Sequence, residues 1–113
     1  MTLQDRMSRI AAVLDTNKAE DVESFDLTDT GYMVDGVVIG TAMADRHLSA
    51  LLDFLRKALK GDEQFLNVDE SDDWTVVDMG DILVHIMTAG AREKYHMEAF
   101  LQEFEAKRNQ KAQ

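Results

Sequence analysis

The feature that most constrains the fold is the order of strand-like and helical spacings of apolar residues along the 113 residues. Residues 33–42 carry a β-branched run, residues 44–61 carry leucines at helical spacing, and residues 63–68 and 74–86 return to strand-like patterns. A helix that joins two strands as a crossover favours a parallel strand pair. The pattern therefore predicts a sheet with one long helix packed on it. The leucines of this helix are Leu48, Leu51, Leu52, Leu55 and Leu59.

The segments on either side add helices and antiparallel hairpins. In the last helix, Tyr95, Ala99, Phe100 and Phe104 are spaced for burial. Asp45 is placed to cap the start of the long helix, and Gly61 is placed to end it. In chain order the predicted elements are a helix at 3–17, strands at 21–27 and 33–42, a helix at 44–61, a strand at 63–68, a hairpin at 74–86 and a helix at 89–107.

These elements predict one domain over residues 1–113, because the chain has no proline and no glycine cluster that would indicate a linker. The expected class is α+β (α/β in a looser naming), with a mixed sheet of about five strands packed by three main helices. The order is α-β-β-α-β-β-β-α. We expect the tail, residues 105–113, to fray.

Composition narrows the possible sites and partners. The chain has no cysteine, which leaves no disulfide, zinc–thiolate cluster or thiol nucleophile. It has no window near the roughly 18 apolar residues of a membrane span, and no apolar core of a secretory signal. We therefore expect a cytoplasmic protein without a membrane partner. Twelve Lys and Arg against 22 Asp and Glu give a net charge of -10, which disfavours direct nucleic-acid binding and favours a basic partner surface.

Residues 74–86, WTVVDMGDILVHI, bring two carboxylates and a histidine close together in sequence. Asp81 and His85 are four residues apart on one predicted strand, so about 13 Å separates their Cα atoms. One small metal ion cannot bridge that distance without further ligands. Asp78 falls in the turn, where aspartate commonly accepts hydrogen bonds from nearby backbone N–H groups. We therefore expect these groups to be structural or recognition residues, with no catalytic residue, metal or cofactor.

The turn of this hairpin sets the expected strand register. Met79 suits a two-residue type I′ turn poorly, so we expect a three-residue loop with Asp78 and Met79 in a type I turn and Gly80 left-handed. This sets Val77 opposite Asp81 and Trp74 opposite Val84. The apolar face would then consist of Trp74, Val76, Ile82, Val84 and Ile86.

Two side chains of the hairpin have alternative interpretations. Met79, expected at the turn tip, buries nothing in its own core and is either a contact anchor for a partner or a tolerated exposed methionine. Trp74 is either a core residue on the apolar face or a partner contact, since an aromatic side chain at a sheet edge can serve both roles. Arg46-His47, at a helix start, either favours an anion or caps and packs.

Four segments resemble the ribosomal silencing factor family, RsfS, also called Iojap. They are Asp–x–x–Val–Ile at 35–39, Arg46-His47 at the start of a helix, Trp–x–φ–φ–Asp–φ–Gly–Asp–φ–φ–Val–His at 74–85, and Arg–x–x–Tyr at 92–95. The resemblance covers about residues 21–100 with nearly collinear spacing. Ala42, Met43 and Ala44 stand where the family usually has Gly and Ser.

The resemblance implies a non-enzymatic factor that binds the large ribosomal subunit through its basic protein numbered fourteen and sterically blocks the small subunit. A homodimer is possible, through the leucine-rich helix or an exposed sheet edge. The alternatives are a ribosome-assembly factor or a nucleotidyltransferase-like enzyme. An enzyme would draw on Asp35, Asp78, Asp81, Arg46 and His47, but carboxylates two apart on one strand are missing. By position, the implied partner-binding residues are Trp74, Asp78, Met79, Gly80, Asp81 and Arg92.

Overall fold

Nine helices and strands follow one another in the computed structural model, which describes the backbone of residues 1–111 and the side chains of residues 1–108. The predicted order of elements is confirmed, except that the last helix is divided in two. The elements are α1 (Leu3–Thr16), β1 (Glu20–Asp26), β2 (Gly36–Ala42), α2 (Asp45–Leu59), β3 (Asn67–Glu70), β4 (Trp74–Asp78), β5 (Ile82–Thr88), α3 (Ala89–Tyr95) and α4 (Met97–Lys111).

The strands form one mixed sheet in the order β1-β2-β5-β4-β3. β2 and β5 pair in parallel, and the other neighbours pair antiparallel. The crossover from β2 to β5 therefore runs through α2 and the β3–β4 hairpin. The α+β class and the mixed five-stranded sheet predicted from the sequence are confirmed.

Helices cover the two faces of the sheet unequally. On one face, α1 and α2 bury their apolar stripes against β2, β4 and β5. α1 lies so close to β2 that a Cβ atom added at Gly36 would be 2.7 Å from the sulfur of Met7. On the other face, α3 and α4 pack against β1, β2 and β5. The central strands β2 and β5 are thus buried on both sides, while β3 and β4 have helix packing mainly on one side.

The start of α2 differs from the expected cap. Ala44 is the N-cap residue and makes no side-chain hydrogen bond, so the prediction that Asp45 caps the helix is wrong. Asp45 is instead the first helical residue, where its charge is favourable near the positive end of the helix dipole. The ring of His47 instead fixes the chain just before the helix, because its Nδ1 accepts a hydrogen bond from the Met43 N–H at 2.9 Å. Its Nε2 lies 2.9 Å from the Asn17 carbonyl oxygen, to which it donates.

The last predicted helix is interrupted at His96, which has a left-handed backbone with φ of 49° and ends α3. The interruption changes which residues face the core. Leu101 is fully buried, whereas Tyr95 and Phe100 are 45% and 49% exposed, so their predicted burial is wrong. α4 continues to Lys111, within the segment expected to fray, and residues 112 and 113 lie outside the described residues.

The register of the β4–β5 hairpin differs from the prediction. Trp74 pairs with Met87 and Val77 pairs with Val84, and the Met79 N–H donates to the Ile82 carbonyl at 2.9 Å. The turn therefore has two central residues, not three. The predicted pairing was wrong by an odd number of residues, which moves every β4 side chain to the other face. β5 is buried on both faces, so its hydrophobic pattern could not distinguish the two registers.

Candidate functional site

The corrected register places Trp74 on the side of the sheet opposite α2. Thr75, Val77 and Met79 point toward α2 and are buried. Trp74, Val76 and Asp78 alternate with them and are half-buried. Two exposed residues of the neighbouring strand pair directly with this set and share its side of the sheet. We call this surface the hairpin face, which consists of Asn67, Asp69, Trp74, Val76 and Asp78.

The hairpin face combines apolar and acidic groups. Trp74 and Val76 line a shallow cavity of about 220 Å³ together with Asp69 and Ser71. The turn next to it, residues 71–73, adds the carboxylates of Asp72 and Asp73. Such a surface, with an aromatic side chain and an acidic rim, is suited to a partner that offers basic groups around an apolar contact.

Trp74 is held by two neighbouring rings. Its indole Nε1–H donates to Nδ1 of His85 at 3.0 Å. The centroid of its ring lies 5.6 Å from that of His85 and 4.9 Å from that of Tyr95. Trp74 therefore packs against the core with one part of its ring, as the first alternative expects. The rest of the ring is exposed on the hairpin face, which leaves it available for the partner contact of the second alternative.

His85 is buried, with 4% of its surface exposed, and its Nε2 has no hydrogen-bond partner among the described residues. Desolvation lowers the pKa of His85 from the ordinary 6.5 to about 4. The imidazole is therefore neutral near pH 7. Its hydrogen bond to Trp74 is a structural role, one of the two kinds expected for this residue.

The buried His85 makes the stability of the fold depend on pH. The unfolded chain protonates this histidine below about pH 6.5, whereas the folded protein does so only near its pKa of about 4. The unfolded state therefore binds more protons inside this window, and the free energy of unfolding falls as the pH falls, by about 3 kcal/mol in total. Urea titrations at pH 7 and pH 4.5 measure most of this loss. The control His85→Gln, which does not titrate, should lose much less, and an equal loss in both proteins would contradict the prediction.

The turn of the hairpin is built by Asp78 and Gly80. The Asp78 carboxylate accepts a hydrogen bond from the Gly80 N–H at 2.8 Å, as predicted, but Asp78 is the last residue of β4 and pairs with Leu83, so its predicted place within the turn is wrong. Gly80 is exposed and has φ of +92°, a conformation that glycine adopts without strain. Met79 is only 7% exposed and belongs to the core under α2. The expectation that Met79 projects from the tip and buries nothing is therefore wrong, because it is the last inward-facing residue of the strand.

Asp81 connects the turn to α1. Its carboxylate accepts two hydrogen bonds from Arg6, at 2.6 and 2.9 Å, and Arg6 also donates two to Glu63. These Arg6 hydrogen bonds hold the pKa of Asp81 below its usual range. The Asp81 side chain is still 43% exposed. The Asp81 carboxylate thus stays accessible to a partner, while the Arg6 guanidinium fixes its orientation.

Arg92 lies away from the turn and is 8% exposed. Its Nη1 donates to the Asp21 carbonyl at 2.5 Å and to the Thr41 hydroxyl at 2.8 Å, and its Nη2 donates to Glu23 at 2.8 Å. Glu98 lies 3.6 Å from its Nε. The structure therefore separates the six predicted contact residues. Asp78, Met79, Gly80 and Asp81 cluster at the turn, Trp74 lies at the other end of β4, and Arg92 faces β1 and β2.

Three of the five residues considered for an enzyme are engaged in structural hydrogen bonds. Asp81 is paired with Arg6, Asp78 caps the turn, and both ring nitrogens of His47 are engaged with backbone groups. In the part of the chain with described side chains, no group of three or more histidines and carboxylates is arranged to hold a metal ion. None of the helices there has the length and hydropathy needed to cross a membrane.

Sequence reasoning missed two residues that shape the site. Tyr95 packs on Trp74, and Arg6 fixes Asp81. Tyr95 belongs to the Arg–x–x–Tyr motif, and this membership could have marked it as a site residue. Its contact with Trp74, however, depends on where α3 ends. Arg6 stands next to the apolar stripe of α1 and no sequence pattern pointed to its partner, which is 75 residues away.

Comparison with known proteins gives one family. The model of the family described as "Ribosomal silencing factor during starvation" matches residues 1–113. The ribosomal silencing factor RsfS of Haemophilus influenzae is 38% identical over 88 residues, which cover 75% of this chain and 86% of that protein. The mouse protein named mitochondrial assembly of ribosomal large subunit protein 1 is 27% identical over 95 residues, covering 79% of this chain and 42% of that protein.

A crystal structure of a Chromobacterium violaceum protein has the same fold. It superposes with a TM-score of 0.82 at 25% sequence identity and covers 90% of this chain and 88% of that one. A second crystal structure, from Bacillus halodurans, superposes with a TM-score of 0.73 at 21% identity over 86% of this chain and 93% of that one. With the match of the family model over the whole chain, these similarities lead to one assignment: the chain belongs to the ribosomal silencing factor RsfS family.

Proposed function

We propose that this protein binds the large ribosomal subunit and represses translation by keeping the small subunit from joining it. Membership of the RsfS family supports the ribosomal role. The observation that carries the choice of surface is Trp74, which the family motif contains and which borders an acidic face that helices leave open. We also propose a cytoplasmic location, which is compatible with action on ribosomes.

We further propose that the hairpin face meets the basic large-subunit protein numbered fourteen. Trp74 supplies the apolar contact and Asp78 an accessible polar group of this face, and Gly80 and Asp81 add contacts from the adjoining turn. Burial of Met79 and Arg92 gives these two residues an indirect part, in which Met79 supports the turn and Arg92 supports the end of the sheet. The net charge of -10 favours a basic partner over RNA phosphates.

Occlusion requires no chemical step, and we propose that the protein is not an enzyme and needs no cofactor. The carboxylates near the turn are used in structural bonds, which supports this reading. A role in assembly of the large subunit is the second candidate, favoured by the name of the mouse relative. A homodimer through the leucines of α2 is contradicted by their burial in the core, so self-association would use another surface, such as the edge strand β3.

Sedimentation of tagged protein with ribosomes at low magnesium, where the subunits separate, tests the proposed function. We expect the protein to migrate with the large subunit and not with the small one. Binding should weaken between about 0.1 M and 1 M salt, because the Debye length falls from about 10 Å to about 3 Å.

Two charge variants serve as a matched pair for this experiment. Asp69→Asn removes a charge from the hairpin face, and Asp53→Asn removes an exposed charge from α2. We expect the first variant to reduce the salt dependence and the second to leave it unchanged. Migration with the small subunit, or binding that is insensitive to salt, would argue against the proposed surface.

A further inference from the structure

We infer that His85 is a positioning residue, which holds the Trp74 indole in its place on the hairpin face by accepting the Nε1–H hydrogen bond at its Nδ1. The consequence for binding rests on the proposed function. The hydrogen bond itself belongs to the free protein, so the two parts can be tested separately.

The chemistry of the pair defines the state of the histidine. An indole N–H can only donate, so Nδ1 of His85 carries no proton and the proton resides on Nε2. His85 is 4% exposed, and desolvation keeps the imidazole neutral well below pH 7. Nδ1 is therefore an acceptor throughout the physiological range, and the hydrogen bond to Trp74 does not depend on pH under those conditions.

Packing alone does not account for a histidine at this position. Its Nε2–H has no partner among the described residues, and a buried donor without a partner destabilises a fold. A phenylalanine would fill a similar volume without that cost. What the imidazole adds is an acceptor for the only indole group in the chain.

The position of Trp74 explains why an anchor of this kind matters. Trp74 is the first residue of β4, and its side chain lies on the face that α2 does not cover. Tyr95 packs on its ring but is itself 45% exposed, so it restrains Trp74 on one side without enclosing it. The hydrogen bond fixes the remaining rotation of the indole. A side chain held in one rotamer before binding loses less entropy when the partner docks.

His85→Phe and His85→Gln provide the test. Phenylalanine keeps a ring and removes the acceptor, whereas glutamine restores an acceptor. Because the chain has one tryptophan, its indole N–H gives a single NMR signal and its fluorescence reports on this site alone. We expect the indole proton of His85→Phe to exchange with water about tenfold faster, the loss expected for one hydrogen bond. His85→Gln should recover most of the protection. Wild-type imidazole nitrogen shifts should show the proton on Nε2.

Binding to large subunits tests the consequence. We expect His85→Phe to lower the affinity about fivefold, as one lost hydrogen bond would, and to have no further effect in a Trp74→Phe background, which lacks the indole N–H. Unchanged indole exchange in His85→Phe, a proton on Nδ1 of the wild type, or an equal affinity loss in the Trp74→Phe background would overturn the inference. If the wild type binds no large subunits, the proposed function fails, while the exchange and nitrogen-shift measurements still decide the role of His85.

Discussion

Trp74→Glu is expected to abolish migration with the large subunit, with an affinity loss of about 100-fold or more. The change removes the aromatic contact of the hairpin face and adds a negative charge where an apolar group should meet the partner. Truncation of one central aromatic residue commonly costs an interface about 2 kcal/mol or more, and an unpaired charge at the contact adds to that cost. Sedimentation of the variant with isolated large subunits measures the effect.

The fold should survive this substitution, because Trp74 is half-buried at the border of its cluster. Met79→Glu is the contrasting case. Its side chain is 7% exposed in the core under α2, so the charge would be buried and the variant should unfold. Circular dichroism and thermal melting separate these results, since only Trp74→Glu should lose binding while keeping a cooperative transition.

Phe54→Glu is the matched control for Trp74→Glu. Phe54 is an aromatic residue, 42% exposed, that lines a groove between α1 and α2 on the other side of the molecule. The substitution changes the net charge by the same amount, so it reproduces any general repulsion from ribosomal RNA. We expect wild-type binding for this control. Loss of binding in both variants would mean that charge, and not the hairpin face, decides the result.

The order of elements could be predicted because each carries its own hydrophobic period. The leucines of α2 mark a helix, and the β-branched residues of β2 mark a buried strand, so the crossover and the mixed sheet followed from local patterns. The division between α3 and α4 could not be predicted in the same way. It depends on the left-handed backbone of His96, a conformation that is uncommon for residues other than glycine and that the hydrophobic period does not reveal.

The candidate site was harder to predict than the fold, because it depends on strand register. A turn with two central residues places Trp74 beside His85, whereas the expected turn of three would have put these side chains on opposite faces. Both faces of β5 are buried, so the apolar pattern is compatible with either pairing. The family motif identified the relevant residues, but only the three-dimensional register distinguishes the open Trp74 from the buried Met79.

Arg92→Met is expected to lower the free energy of unfolding by about 3 kcal/mol, roughly 1 kcal/mol for each of the three hydrogen bonds that the guanidinium donates. Arg92 is 8% exposed, and its guanidinium donates to the carbonyl of Asp21, the hydroxyl of Thr41 and the carboxylate of Glu23. Methionine keeps a similar volume but leaves these acceptors without their donor. Asp21 also lies in an irregularity of β1 with φ of 47°, so its carbonyl depends on Arg92 instead of the strand ladder.

Thermal melting and urea unfolding measure this effect, and Arg92→Lys is the matched control. Lysine keeps the charge but cannot direct donors to three acceptors at once, so we expect a smaller loss of about 1 kcal/mol. At a temperature where Arg92→Met is still folded, its affinity for large subunits should equal that of the wild type, because the buried side chain cannot reach a partner. A variant with wild-type stability and lost binding would instead make Arg92 a direct contact. The comparison therefore separates a residue that supports the sheet from one that belongs to the hairpin face.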